Sequence, residues 1–212
     1  MHRLKRILAY LDFRNWSYSA WSIPYFYRRI NYALWYRANP DKPWIVQSAV
    51  AFLDNYLSTD DVVMEWGSGR STLYFAKKCK FVTSCEHNQA WFHAMRTKVM
   101  RAANVQYLYY ETQTWVASEM SPSFNIALVD GIERANCAFR AAQLLSPGGL
   151  LILDNAERYI PSDSKASSSS LASIEEDFEY IKWRIFINTT KDWEKYYFTN
   201  NLFDTTIFCK PL

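Results

Sequence analysis

The stretch 62–72, VVMEWGSGRST, constrains the fold of this chain more than any other. Val62, Val63 and Met64 make a short apolar run of the kind that forms a strand buried on both faces. Glu65 and Trp66 follow, and Gly67-Ser68-Gly69 then offers a turn through conformations that only glycine adopts cheaply. Residues 70–79 open with Ser71 and Thr72 and continue with Leu73, Phe75 and Ala76, which suits a helix. Strand, glycine turn and helix in that order form the unit from which a doubly wound α/β sheet is built, with a ligand held at the turn. The chain has only five glycines, and Gly67, Gly69, Gly131, Gly148 and Gly149 all read as junctions of strand and helix. None lies in a loose linker.

A turn of this kind serves dinucleotides as well as other ligands, and two carboxylates narrow the choice. Glu65 stands two residues before Gly67. At the mouth of the turn it would repel a pyrophosphate and attract a ligand carrying an ammonium and a sulfonium. S-adenosylmethionine carries both cations and no phosphate. Glu86 lies nineteen residues beyond Gly67, at the end of the apolar run 81–85, where an acidic side chain accepts ribose hydroxyls in such folds. The alternative is a buried Glu65 bonded to local groups and a solvated Glu86. On these residues the sequence resembles the class I S-adenosylmethionine-dependent methyltransferases. E-W-G-S-G-R-S-T at 65–72 is similar to their first motif, and C-E-H at 85–87 to the acidic end of their second strand. The resemblance covers about residues 45–212. It implies a cofactor site drawn from Glu65, Gly67, Ser68, Gly69, Ser71, Thr72, Glu86, His87, Glu111 and Asp130.

The rest of the chain keeps the strand–helix rhythm. A helix opening at Pro43 is expected to bury Ile45, Ala49, Phe52, Leu53 and Tyr56. Strands are expected at 62–64, 81–85, 105–109, 126–129 and 150–153, with helices at 70–79, 89–103 and 134–145 between them. Residues 111–121, with Trp115, read as a loop or short helix. A last helix is expected at 174–180, and 182–187 with 205–209 alternate as a hairpin pair. The expected fold is α/β, a doubly wound, seven-stranded, mostly parallel sheet with a C-terminal antiparallel hairpin. That hairpin is a further likeness to the methyltransferase fold.

Ligands of doubly wound sheets sit beyond the carboxyl ends of the strands. That places Glu65, Glu86, Glu111, Asp130, Asp154 and Asn155 around one cleft. The stretch LVDGIERANCAFRAAQLLSPGGLLILDN, 128–155, resembles metal-dependent catechol-type O-methyltransferases in the order of its Asp and Asp-Asn. The resemblance implies a Mg2+ held by Asp130, Asp154 and Asn155 through oxygen. It departs at 131–134, where no lysine follows closely to serve as the usual base. The alternative is that Asp130 orients cofactor or acceptor and Asp154-Asn155 closes its strand. Methyl transfer needs a nucleophile held in line and deprotonated. None of the three histidines is well placed for that, so Asp130 is the candidate base. Arg134 and Arg158 flank the cleft and are candidates to bind an anionic acceptor or to pair with neighbouring acids.

The net charge of +3 is too small to point to nucleic acid, and no Asn-Pro-Pro-Tyr-like stretch follows 126–129. A hydroxyl of a small molecule or glycan is therefore the expected acceptor. A non-catalytic cofactor-binding scaffold is the different-class alternative. The charge is uneven: residues 1–45 carry +6 and the remainder −3. Residues 1–44 read as an aromatic, basic helical extension, with an amphipathic helix on Leu4, Ile7, Leu8 and Leu11 and a second from Pro24 to about Arg37. Residues 1–37 either cap the main domain or make a peripheral contact with membrane. The cap is the favoured reading. Asp12, Arg14 and Asn15 interrupt the apolar start and argue against a cleaved signal peptide. Cys79, Cys85, Cys137 and Cys209 show no metal spacing, which fits a cytoplasmic protein. The serine-rich segment 161–173 is expected to be a surface loop, either a tolerated insertion or a lid.

Overall fold

The computed structural model describes residues 23–111, 123–162, 164–166, 169 and 178–212. The expected helix around residues 4–11, the segment 112–121 and most of the serine-rich loop lie outside the described residues. The strands are β1 (Val62–Trp66), β2 (Phe81–Glu86), β3 (Val105–Tyr109), β4 (Ile126–Val129), β5 (Leu150–Asp154), β6 (Glu194–Thr199) and β7 (Asp204–Cys209). They form one sheet in the order β3-β2-β1-β4-β5-β7-β6. The first five are parallel, and β7 runs antiparallel to both β5 and β6. The helices are α1 (Ile23–Ala38), α2 (Gln47–Tyr56), α3 (Arg70–Lys78), α4 (Gln89–Val99), α5 (Arg134–Leu144) and α6 (Phe178–Thr189).

Successive residues of a strand point to opposite faces, so a strand covered on both sides must be apolar throughout. Every residue of β4 and β5 is buried. On one face Ala49, Val50 and Leu53 of α2 and Tyr74 and Phe75 of α3 pack against Val63, Ile126, Leu128, Ile152 and Ile207. On the other, Ala135, Ala138, Ala141 and Ala142 of α5 and Trp183 and Phe186 of α6 pack against Met64, Ala127, Val129, Leu151 and Leu153. The four alanines let α5 lie close to the sheet.

The C-terminal hairpin is present, but its first strand is β6, not 182–187. That stretch belongs to α6. Trp183, Ile185 and Ile187 alternate like a strand, yet the inward residues are Trp183, Phe186 and Thr190, the spacing of a helix. Ile181 and Ile185 are half exposed on its outer side. The helix expected from Pro43 starts instead at Gln47, because Val46 N–H donates to Thr205 Oγ1 (3.0 Å) and Ile45 O accepts from the Tyr36 hydroxyl. Residues 45 and 46 are thereby tied to the helix Ile23–Ala38 and to β7. The helix expected over 89–103 ends at Val99, and Asn104 Nδ2 donates to Ala76 O (2.9 Å) and Cys79 O (3.0 Å) beyond it.

α1 packs against the domain through one side. Tyr36 is buried, and its carbonyl accepts from Arg70 at the start of α3 (3.0 Å). Tyr32 lies 5.4 Å from the Phe203 ring in the β6–β7 turn. Phe26, Tyr27 and Leu34 stay exposed on the opposite side. No described helix is long and apolar enough to cross a membrane.

Candidate functional site

The parallel strands aim their carboxyl ends the same way, so the turn after β1, Glu86 at the end of β2, Asp130 after β4 and Asp154 at the end of β5 share one rim. Gly67 enters the turn with φ +96°. A Cβ there would lie 2.8 Å from the Asp130 carbonyl carbon and 2.8 Å from the Gly131 nitrogen. Two backbones therefore touch at Gly67, and no other residue fits. The contact is held by Asp130 N–H on Trp66 O (2.9 Å) and Gly67 N–H on Cys85 O (3.0 Å). Gly69 is different: a Cβ on it would meet nothing within 4 Å. The turn is filled beneath its first glycine and open above its second.

Two carboxylates hold this turn from below. Glu86 Oε2 accepts from the Ser68 N–H (3.1 Å) and hydroxyl (2.7 Å), and Oε1 accepts from Asn88 N–H (2.8 Å). His87 is half-buried, its Nδ1 3.3 Å from Glu86 Oε1. Glu65 does not stand at the mouth of the turn, which corrects the reading that it meets a ligand's cations directly. It is fully buried, and its Oε2 accepts from Thr72 Oγ1 (2.5 Å) and Ser84 Oγ (2.5 Å). Thr72 Oγ1 in turn accepts from Gly69 N–H (3.0 Å), so Glu65 reaches the open turn through Thr72. Burial pushes the Glu65 carboxyl up to about 7, against the downward pull of the Ser71, Ser84 and Thr72 hydroxyls. Glu65 Oε1 is buried without a partner.

Sequence reasoning missed two groups that complete the turn. The Trp91 indole N–H donates to Ser68 O (2.9 Å), and the Tyr107 hydroxyl lies 2.7 Å from Ser68 Oγ. Asn88, which caps α4 through Trp91 N–H (3.0 Å), is the one local signal that could have located Trp91. Glu111 is exposed two residues beyond β3, where the described chain breaks off.

Asp130, Asp154 and Asn155 do converge, but around an arginine. Arg134 Nη2 donates to Asp130 Oδ1 (2.8 Å) and Asp130 O (3.1 Å), Nη1 donates to Asp154 O and to Asn155 Oδ1 (3.3 Å), and Nε donates to Gly131 O (2.9 Å). Asp154 Oδ1 accepts from Thr205 Oγ1 (2.9 Å). Among the described residues no group of acids, histidines and cysteines is arranged to hold a metal ion. The trio does not fit the expected Mg2+, because a guanidinium already holds Asp130 Oδ1 and Asn155 Oδ1 and Asp154 gives a carboxylate oxygen to Thr205. Arg134 is also committed to the protein and is no candidate for an anionic acceptor. Burial, then the Asp130 charge, push the Asp154 carboxyl well above its ordinary range. Arg158 is exposed beside the buried Glu157, 3.6 Å away. From α1, the Tyr32 and Tyr36 hydroxyls lie near enough to Asp154 to feel its charge, and burial foremost pushes both phenols up.

No protein-family model and no curated protein matches this chain. Solved structures do. A protein of Streptococcus mutans proposed to be a methyltransferase, solved in complex with SAH, is 13% identical over 76% of this chain and 94% of its own, with a TM-score of 0.52. A methyltransferase of Pyrococcus furiosus is 15% identical over 87% of this chain and 98% of its own, at 0.51. An rRNA methylase of Streptococcus thermophilus is 12% identical over 76% and 93%, at 0.52. At such identities the likeness is one of architecture, and this chain has the α/β fold of those methyltransferases, C-terminal hairpin included.

Proposed function

We propose that this protein is an S-adenosylmethionine-dependent methyltransferase acting on a hydroxyl of a small molecule or glycan. The observation that carries the reading is the turn itself: Gly69 leaves open space above amides and hydroxyls that Glu86 holds from beneath. A backbone-lined opening with a carboxylate at its base suits a ribose-bearing, phosphate-free ligand. The SAH in the Streptococcus mutans protein of the same fold supports that choice. Bound there, S-adenosylmethionine supplies a methyl group on a sulfonium.

The chain's own residues would do the rest. Gly67, Ser68 and Gly69 line the ligand with backbone, Ser71 and Thr72 open α3 beside it, and Glu86 with His87 faces the ribose. Glu111 flanks the site, and Glu65 acts from below through Thr72. Asp130, whose side chain is one-third exposed, faces the acceptor and takes the proton that its hydroxyl releases. Calorimetry with SAH and with NAD tests the cofactor: SAH is expected to bind and NAD not. Turnover against hydroxylated acceptors then tests the reaction. Binding without turnover on any acceptor would favour a scaffold, and methylation of RNA instead would replace the acceptor class.

A further inference from the structure

A guanidinium has five N–H donors, and all five of those on Arg134 are used within the protein. Their acceptors are three backbone carbonyls and the side-chain oxygens of Asp130 and Asn155, at the ends of two neighbouring strands. The Arg134 side chain is only 12% exposed, and the Tyr159 ring covers it with its centre 5.6 Å from the guanidinium carbon. A hard divalent cation held here by Asp130 and Asn155, with water filling the rest of its shell, would need the two side-chain oxygens that Arg134 already occupies, and Asp154 gives one carboxylate oxygen to Thr205. Cation and arginine compete for one position. The arginine is covalently tethered there, and five hydrogen bonds replace the weak hydration that its guanidinium gives up.

We propose that Arg134 is the resident cation of this site, a positioning residue that stands where a divalent metal would sit and excludes it. It occupies one Asp130 oxygen, ties the ends of β4 and β5 together, and leaves no N–H for an anionic acceptor. The acceptor that fits is neutral or cationic at the atoms nearest Asp130. The inference rests on reading these strand ends as the acceptor side, and its test is separate from that of the cofactor.

The full-length chain is titrated with Mn2+ alone, followed by electron paramagnetic resonance, as wild type, Arg134→Ser, Arg134→Lys and the double variant Arg134→Ser/Asp154→Asn. Wild type and Arg134→Lys are expected to bind no Mn2+ at this site. Arg134→Ser is expected to bind at least about tenfold more tightly than wild type, through the oxygens set free, and Asp154→Asn should abolish the gain. Circular dichroism confirms that each variant is folded. The single variant Asp154→Asn is titrated alongside them, and a wild-type Mn2+ site that it removes would overturn the proposal, with or without a folded Arg134→Ser. So would a folded Arg134→Ser that gains no Mn2+. SAH titrations on the same proteins report on the turn after β1, so the two readings fail separately.

Discussion

At the turn after β1 the amides and hydroxyls are bonded to Glu86 and Thr72 beneath, and there is open space above Gly69. At the ends of β4 and β5 there is no such space, because Arg134, ion-paired with Asp130 and bonded to the carbonyls around it, fills it. One half of the rim is prepared for something to enter. The other is already occupied by the protein's own side chain. Changes at the turn should therefore register in ligand binding, whereas changes at buried contacts beneath it should register in stability.

The two glycines of the turn give the largest test of that difference. Gly67→Ala forces a Cβ into the Asp130–Gly131 backbone at a positive φ, and about 4 kcal/mol or more of stability should be lost. Gly69→Ala meets nothing, so its stability should stay within about 0.5 kcal/mol of wild type. Its SAH affinity should nevertheless fall at least about tenfold, because the new methyl enters the space where a ligand's approach needs bare backbone. Urea unfolding and calorimetry separate the two effects. Equal destabilisation by both substitutions would erase the contrast between a packed and an open glycine.

Glu65 is the next largest. Its folded value of about 7 lies above the ordinary 4.5, so the folded state holds a proton that the unfolded chain has released. The stability it contributes is fully present below 4.5 and is lost as the pH rises through about 7. Between pH 5 and pH 9 this amounts to on the order of 3 kcal/mol. Glu65→Gln should remove that slope while retaining the bonds from Thr72 and Ser84, at a constant cost for its buried amide. Urea melts across that range measure it, and parallel slopes in the two proteins would show that Glu65 titrates normally.

Much of the architecture was legible because local chemistry and tertiary context agree. Four of the five parallel strands are short, mostly apolar runs ended by glycine or an acid, and topology alone then gathers Glu86, Asp130 and Asp154 on one rim. What escaped depended on partners distant in sequence. Residues 182–187 satisfy a strand's period and a helix's at once, and only the α5 and sheet surfaces decide which side chains turn inward. Arg134 reads either as a binder of an anionic acceptor or as a partner of neighbouring acids, and Asp130 with the β5 acceptors Asp154 O and Asn155 Oδ1 decides for the second. Glu65 reads as a rim carboxylate until Thr72 and Ser84 draw it inside. In each case the choice among readings rests on partners in space, because occupancy is a property of pairs.

Glu86 lies between the two extremes, since its carboxylate serves both the turn and the proposed ligand. Glu86→Ala should weaken SAH binding by about 1.5–3 kcal/mol, the worth of a hydrogen bond to a charged group. Removing it also leaves the Ser68 and Asn88 amides without their acceptor, so some stability should be lost with the affinity. Calorimetry on the folded variant decides the point. Unchanged affinity would remove Glu86 from the ligand's reach and leave it a purely structural brace.

The smallest effect belongs to Trp91, and it asks whether the turn is held from outside as well as from below. Its indole N–H is bonded to Ser68 O, while the ring is 45% exposed and contributes little to the core. Trp91→Phe keeps an aromatic ring on α4 and deletes that single bond. A neutral hydrogen bond is worth about 1 kcal/mol net, and here the loss falls on a loop that water can reach. The melting temperature should therefore hardly move, while SAH affinity drops by up to about 1 kcal/mol as Ser68 loosens above Glu86. A substitution that lowered stability and left affinity intact would place Trp91 with the packed half of the rim, and the turn's order would then come from Glu86, Glu65 and the Tyr107 hydroxyl beside Ser68.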